Sequence, residues 1–157
     1  MSHSDEDTRL MRIALEQAHS AIRAGQLPFG ACVVVAGQVI SAAHNTVFAD
    51  QDVTRHAEVN ALREACRALD RIDLAGATVF TSCEPCPMCL TACFWAGVSR
   101  IVYAARVADA QACGIRQLAN APEHLTALAE AGIEITGDVL REEGRAVFAG
   151  LETVPVC

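Results

Sequence analysis

The chain has 157 residues, a formal charge of −7 and a mean hydropathy of +0.28, and all 12 of its basic residues are arginine. That length supports one domain with its own core, and a 52% hydrophobic content excludes a disordered chain. The acidic balance with scattered arginines argues against a broad nucleic-acid footprint, and no apolar run reaches the roughly 20 residues of a membrane span.

Ser4 followed by Asp5, Glu6 and Asp7 predicts a helix start with acidic residues in its first turn. Leu10, Ile13, Ala14, Ala18, Ala21 and Ile22 continue it at helical spacing, and Gly25 ends it. After the connector at 26–30, Ala31 to Val35 reads as a buried strand, Ala36-Gly37 as a tight turn and Val39 to Ala43 as the returning strand. His44 to Val53 reads as loop. Thr54 is the expected cap of a helix with Val59, Leu62, Ala65, Cys66 and Leu69 on one face. Ala77 to Thr81 is a strand, Met88 to Ala96 a buried helix, and Arg100 to Ala104 another strand. Val107 to Ala121 is poorly patterned and reads as a loop with one helical turn. Pro122 opens a helix that Gly132 stops, Ile133 to Thr136 is a short edge strand, and Val139 to Gly150 is a last amphipathic helix.

A hairpin followed by strand–helix crossovers requires parallel strands covered by helices. The expected fold is α/β: a three-layer α/β/α domain over 1–157 with a five-stranded mixed sheet. In open sheets of this kind, sites gather where helices begin beyond the C-terminal ends of strands.

The eight cysteines carry the strongest chemical signal. The N-terminus has neither a basic segment nor an apolar one, so no export signal is visible. The expected compartment is the cytoplasm, where thiols serve metals or cores rather than disulfides. Cys32, Cys66 and Cys113 read as small core residues and Cys157 as a free surface thiol. Pro87 suits the first helical position, which makes Cys86 an N-cap and sets Cys89 one turn along the same face. Free N–H groups and the helix dipole there favour thiolate, and paired thiolates at this spacing are half of a zinc site.

His56-Ala57-Glu58 is the candidate other half. One imidazole and two thiolates leave the fourth corner of a tetrahedral zinc to water, whose pKa the ion lowers towards about 7. Glu58 can then move protons between that water, a ring nitrogen and a departing amine. Residues two apart share no helix face, so His56 and Glu58 serve one site only over the helix end. Three other readings stay open on the residues alone. Cys83, Cys86, Cys89 and Cys93 fit an iron–sulfur spacing, though Phe94 stands where proline follows in that motif. Cys83 or Cys93 could close a structural zinc tetrahedron. Cys86 and Cys89 could form a redox dithiol.

His56-Ala57-Glu58 with Pro85-Cys86-Pro87-Met88-Cys89 resembles the cytidine deaminase superfamily of zinc nucleobase deaminases. Pro28-Phe29-Gly30-Ala31, His44-Asn45 and the run from Thr81 to Cys89 make the chain similar to the bacterial guanine deaminase branch. The resemblance implies one Zn²⁺ per chain on His56, Cys86 and Cys89, with Glu58 as the catalytic proton shuttle. It implies a small heterocyclic substrate, guanine first, contacted by Asn45, the ring of Phe29, the Ala57 N–H and the Ser82 backbone, with Trp95 near the pocket. Cytosine, triazine, pterin and tRNA-adenosine substrates share the signature. It also implies a homodimer. In that branch an acidic Gly-Phe-Asp-Asp run helps hold guanine; here the residues are Gly114-Ile115-Arg116-Gln117. Asp109 is a candidate replacement.

Overall fold

A computed structural model describes residues 3–149 and 151. Helix α1 (Asp5–Arg23) begins at Ser4, whose hydroxyl accepts from the Asp7 N–H. It ends in a Schellman motif: Gln26 N–H reaches Ala21 O, Gly25 N–H reaches Ile22 O, and Gly25 takes φ +70°. Strands β1 (Gly30–Val35) and β2 (Gln38–His44) form the hairpin. Then follow α2 (Val47–Asp50), α3 (Ala57–Leu69), β3 (Thr78–Cys83), α4 (Pro87–Trp95) and β4 (Arg100–Ala105). The described chain closes with α5 (Val107–Ala112), α6 (Pro122–Glu130), β5 (Glu134–Thr136) and α7 (Arg141–Phe148).

The strands lie in the order β2-β1-β3-β4-β5. β1 runs antiparallel to both neighbours, and β3, β4 and β5 are mutually parallel. This is the expected five-stranded mixed sheet. Strand parity assigns its two faces. On β1, a Cβ at Gly30 would lie within 2.5 Å of atoms of Ala14, Gln17 and Ala18, and the Cys32 thiol donates to Leu10 O, so these positions face α1. Ala31 and Val33 face the other way. Their cross-strand partners Thr81 and Ser41 bond Glu58 and Ala61 O, both on α3. Helix α7 packs beside α1, and α4 beside α3. Gly30 is required where β1 passes closest to α1, because two of those three contacts are backbone atoms that cannot move aside.

Several expectations are corrected. Helix α3 is capped by His56, not Thr54; the Thr54 hydroxyl and N–H both bond Asp52 Oδ1, which holds Thr54 in a turn before the helix. The predicted loop at 44–53 contains α2, and the stretch after Val107 contains the two-turn α5, whose start is fixed by Asp109 bonding the Arg106 N–H. Cys32 is buried as expected, but Cys66 is only half-buried and Cys113 is exposed. Cys157 and the Gly150 end of the last helix lie outside the described residues.

Candidate active site

Two helix N-termini meet at the C-terminal side of the sheet. Cys86 caps α4 with φ −70° and ψ 168°, and Pro87 follows at the first helical position, as the sequence predicts. His56 caps α3 with φ −65° and ψ 155°, so its imidazole projects from the helix end. This brings residues 30 positions apart into contact. His56 Nδ1 lies 3.7 Å from Cys86 Sγ and 3.5 Å from Cys89 Sγ, and the two sulfurs are 3.7 Å apart.

These edges fit a metal. With Zn–S near 2.3 Å and Zn–N near 2.0–2.1 Å, a tetrahedron separates its sulfurs by about 3.8 Å and sulfur from nitrogen by about 3.6 Å. Among the described residues, these three side chains form the cluster whose donor atoms all lie within 4.8 Å of one another. Cys83 is no fourth member: its thiol points to Arg106 O at 3.6 Å. Cys93 is buried in the core. The donor set among the described residues is therefore one imidazole and two thiols, three protein ligands, the number a catalytic zinc takes.

The electrostatics suit a cation. The Cys86 thiol is held well below its usual range, first by its hydrogen bond with Cys89 and then by that with His56. Cys89 is pushed up by the same bond and by burial. The His56 imidazole is raised, chiefly by its bond to Cys86.

Glu58 sits beside this cluster. Only 6% exposed, it places Oε2 3.3 Å from Cys89 Sγ and accepts the Thr81 hydroxyl at Oε1 over 2.9 Å. Burial raises its carboxyl above the usual range, the direction that general acid–base catalysis by a carboxyl calls for. As the geometry of residues two apart demands, His56 and Glu58 meet over the end of α3.

The remaining sequence candidates divide. Asn45 is 1% exposed, and its Oδ1 accepts from the Val47 N–H, which leaves the amide Nδ2 without a protein partner among the described residues. Ala57 is fully buried as the first residue of α3, where a backbone N–H has no intrahelical acceptor. Ser82 lies one residue past the last β1–β3 pair, and its hydroxyl accepts from the Gly30 N–H. Phe29 is 8% exposed and stacks edge-on against Phe148 of α7 at 5.9 Å. Trp95 is not brought to the cluster. Nine residues after Cys86, it stands about 13 Å farther along α4; it is 77% exposed and packs on Phe94. Asp109 is not a free acid either. Arg141 grips both its oxygens at 2.9 and 3.0 Å and draws its carboxyl down to about 2. Sequence reasoning missed Thr81 as a contact of Glu58; its parity with Ala31 on the α3 face was the available signal.

The chain is 40% identical to a guanine deaminase of Bacillus subtilis over 114 residues, covering 73% of this chain and 71% of that protein. Its fold superposes on a protein solved in complex with 2,6-diaminopurine with a TM-score of 0.87 and 31% identity, covering 96% of this chain and 85% of that one. A guanine deaminase from Nitrosomonas europaea gives a TM-score of 0.84 at 32% identity, covering 94% and 84%. Residues 4–105 match the sequence profile of the cytidine and deoxycytidylate deaminase zinc-binding region, and the chain belongs to that family.

Proposed function

We propose that the protein is a zinc-dependent hydrolase that replaces the exocyclic amino group of a nucleobase by oxygen and releases ammonia, with guanine as its substrate. The observation that carries this reading is the placement of a buried carboxyl, Glu58, against an open three-donor metal cluster at two helix ends. The similarity to guanine deaminases supports the choice of base.

His56, Cys86 and Cys89 would hold the zinc ion, which would supply a Lewis acid that makes water a nucleophile at neutral pH. Glu58 would take one proton from the attacking water and pass it to the ring nitrogen beside the attacked carbon, then take the second from the hydroxyl now on that carbon and deliver it to the departing amine as the C–N bond breaks and the carbonyl forms. The Nδ2 of Asn45 and the Ala57 N–H at the start of α3 offer donors to acceptor groups on the base, the Ser82 backbone meets the base edge, and Phe29 supplies an apolar wall.

We assign residues 1–157 to one deaminase domain acting in cytoplasmic nucleobase metabolism as a homodimer. Support for the dimer is an exposed apolar strip on α4, with Met88 at 36%, Phe94 at 42% and Trp95 at 77%. It borders a recess between α4 and α6 lined by Thr91, His124, Ala127 and Leu128. Contiguous exposed apolar residues of this kind mark protein–protein contact surfaces. In this arrangement Trp95 serves a pocket only by way of the second copy. Light scattering is expected to give twice the chain mass, and Trp95→Arg to give the monomer; a wild-type monomer contradicts the dimer.

Ammonia release across guanine, 2,6-diaminopurine, cytosine, adenine, their nucleosides, pterins and aminotriazines tests the substrate. Guanine is expected to give the highest kcat/KM. Turnover of cytosine or a triazine with guanine inert would reassign the base, and no release from any of them would contradict the deaminase reading.

A further inference from the structure

Glu58 has two carboxylate oxygens, and the fold treats them differently. Oε2 lies against the metal cluster, 3.3 Å from Cys89 Sγ. Oε1 is turned away onto the hydroxyl of Thr81 at 2.9 Å. The torsion that exchanges these oxygens, χ3, is broad and two-fold in glutamate, so nothing intrinsic to the side chain fixes its plane. Thr81 does so. It is 1% exposed near the C-terminal end of β3, and as a β-branched residue in a strand it has little χ1 freedom. Cys83 O, 3.0 Å away, is a second acceptor within reach of the same hydroxyl.

We propose that Thr81 is a positioning residue for the reaction: its hydroxyl fixes the carboxylate plane of Glu58, so that Oε2 is the oxygen presented to the metal cluster and to the protons in transfer. A hydroxyl has one proton and two lone pairs. It donates to Oε1 while Glu58 is ionised. It goes on donating to Oε1 while Oε2 holds the transferred proton, because Oε1 then remains an acceptor. The carboxyl therefore keeps a partner in both halves of the cycle, which an apolar side chain of the same shape cannot provide.

The inference rests on the deaminase reading above, and the test separates the two. Zinc-loaded wild type, Thr81→Val, Thr81→Ser and Glu58→Ala are compared on the heterocycle that gives wild type its highest rate in the ammonia screen. Thr81→Val preserves shape and removes the hydroxyl; kcat is expected to fall about 10- to 100-fold with KM within about twofold, the signature of a misplaced catalytic group and not of lost substrate binding. Zinc content should be unchanged. Thr81→Ser restores the hydroxyl and should recover kcat to within about threefold of wild type. Should Thr81→Val fail to fold, Thr81→Cys, a weak donor the size of serine, carries the comparison against Thr81→Ser. Thr81→Val with wild-type kcat, a KM effect alone, or Thr81→Ser as impaired as Thr81→Val would each overturn the positioning role. An active Glu58→Ala overturns the deaminase mechanism itself, whatever Thr81 does.

Discussion

Replacement of Glu58 by Ala is expected to lower turnover by at least about 10³-fold while zinc content stays near one per chain, because positioned proton transfer contributes on the order of 10²–10⁴ and every proton in the proposed reaction passes through this carboxyl. Glu58 is not a member of the three-donor cluster, so its loss leaves the metal held. Glu58→Gln separates proton transfer from packing. It preserves the shape and the bond to Thr81 but cannot cycle a proton, and it should be as inactive as Glu58→Ala. Steady-state ammonia release together with metal analysis reads both effects. Activity within about tenfold of wild type would show that protons travel by another route.

The second large effect concerns the sulfurs. Cys86→Ala or Cys89→Ala opens one edge of a cluster whose members are 3.5–3.7 Å apart. Loss of even an outer partner of a metal ligand typically costs 10–100-fold in affinity, so loss of a ligand should weaken zinc by more than about 100-fold and abolish turnover. Stability gives an independent readout. A metal that binds only the folded chain stabilises it by about 4 kcal/mol when the free ion stands at roughly 1,000 times Kd. A strong chelator should therefore lower the Tm of wild type and leave that of Cys86→Ala unmoved. Cys93→Ala, which deletes a buried core thiol outside the cluster, should retain zinc. If Cys93→Ala loses the metal and Cys86→Ala does not, the ligand set is wrong.

Much of the architecture was legible because its punctuation is local. Gly25 ends α1 by adopting positive φ, Pro87 fixes the start of α4, and the alternation of apolar strands with helical segments determines the parallel half of the sheet. The metal trio was legible for the same reason, since Cys86, Cys89 and His56 all belong to helix starts that follow strands. Thr54 was misread because a threonine before a helix serves equally as a cap or as part of a turn, and the choice depends on Asp52, which captures it. Helices α2 and α5 are too short to show a period; α5 is fixed instead by Asp109, whose carboxylate caps it and is gripped from across the fold by Arg141. That long-range pair also explains why Asp109 cannot serve as a substrate acid. Trp95 is aromatic and close in sequence to the ligands, but the rise of α4 carries it out of reach of its own cluster.

Zinc-edge X-ray absorption of the purified holoprotein tests the central claim most directly. Ligation by His56, Cys86 and Cys89 with one open corner predicts two sulfurs at about 2.3 Å and two nitrogen or oxygen scatterers at about 2.0–2.1 Å. Three or four sulfurs in that shell would mean that Cys83 or Cys93 closes the site, and the deaminase chemistry would have no place to occur.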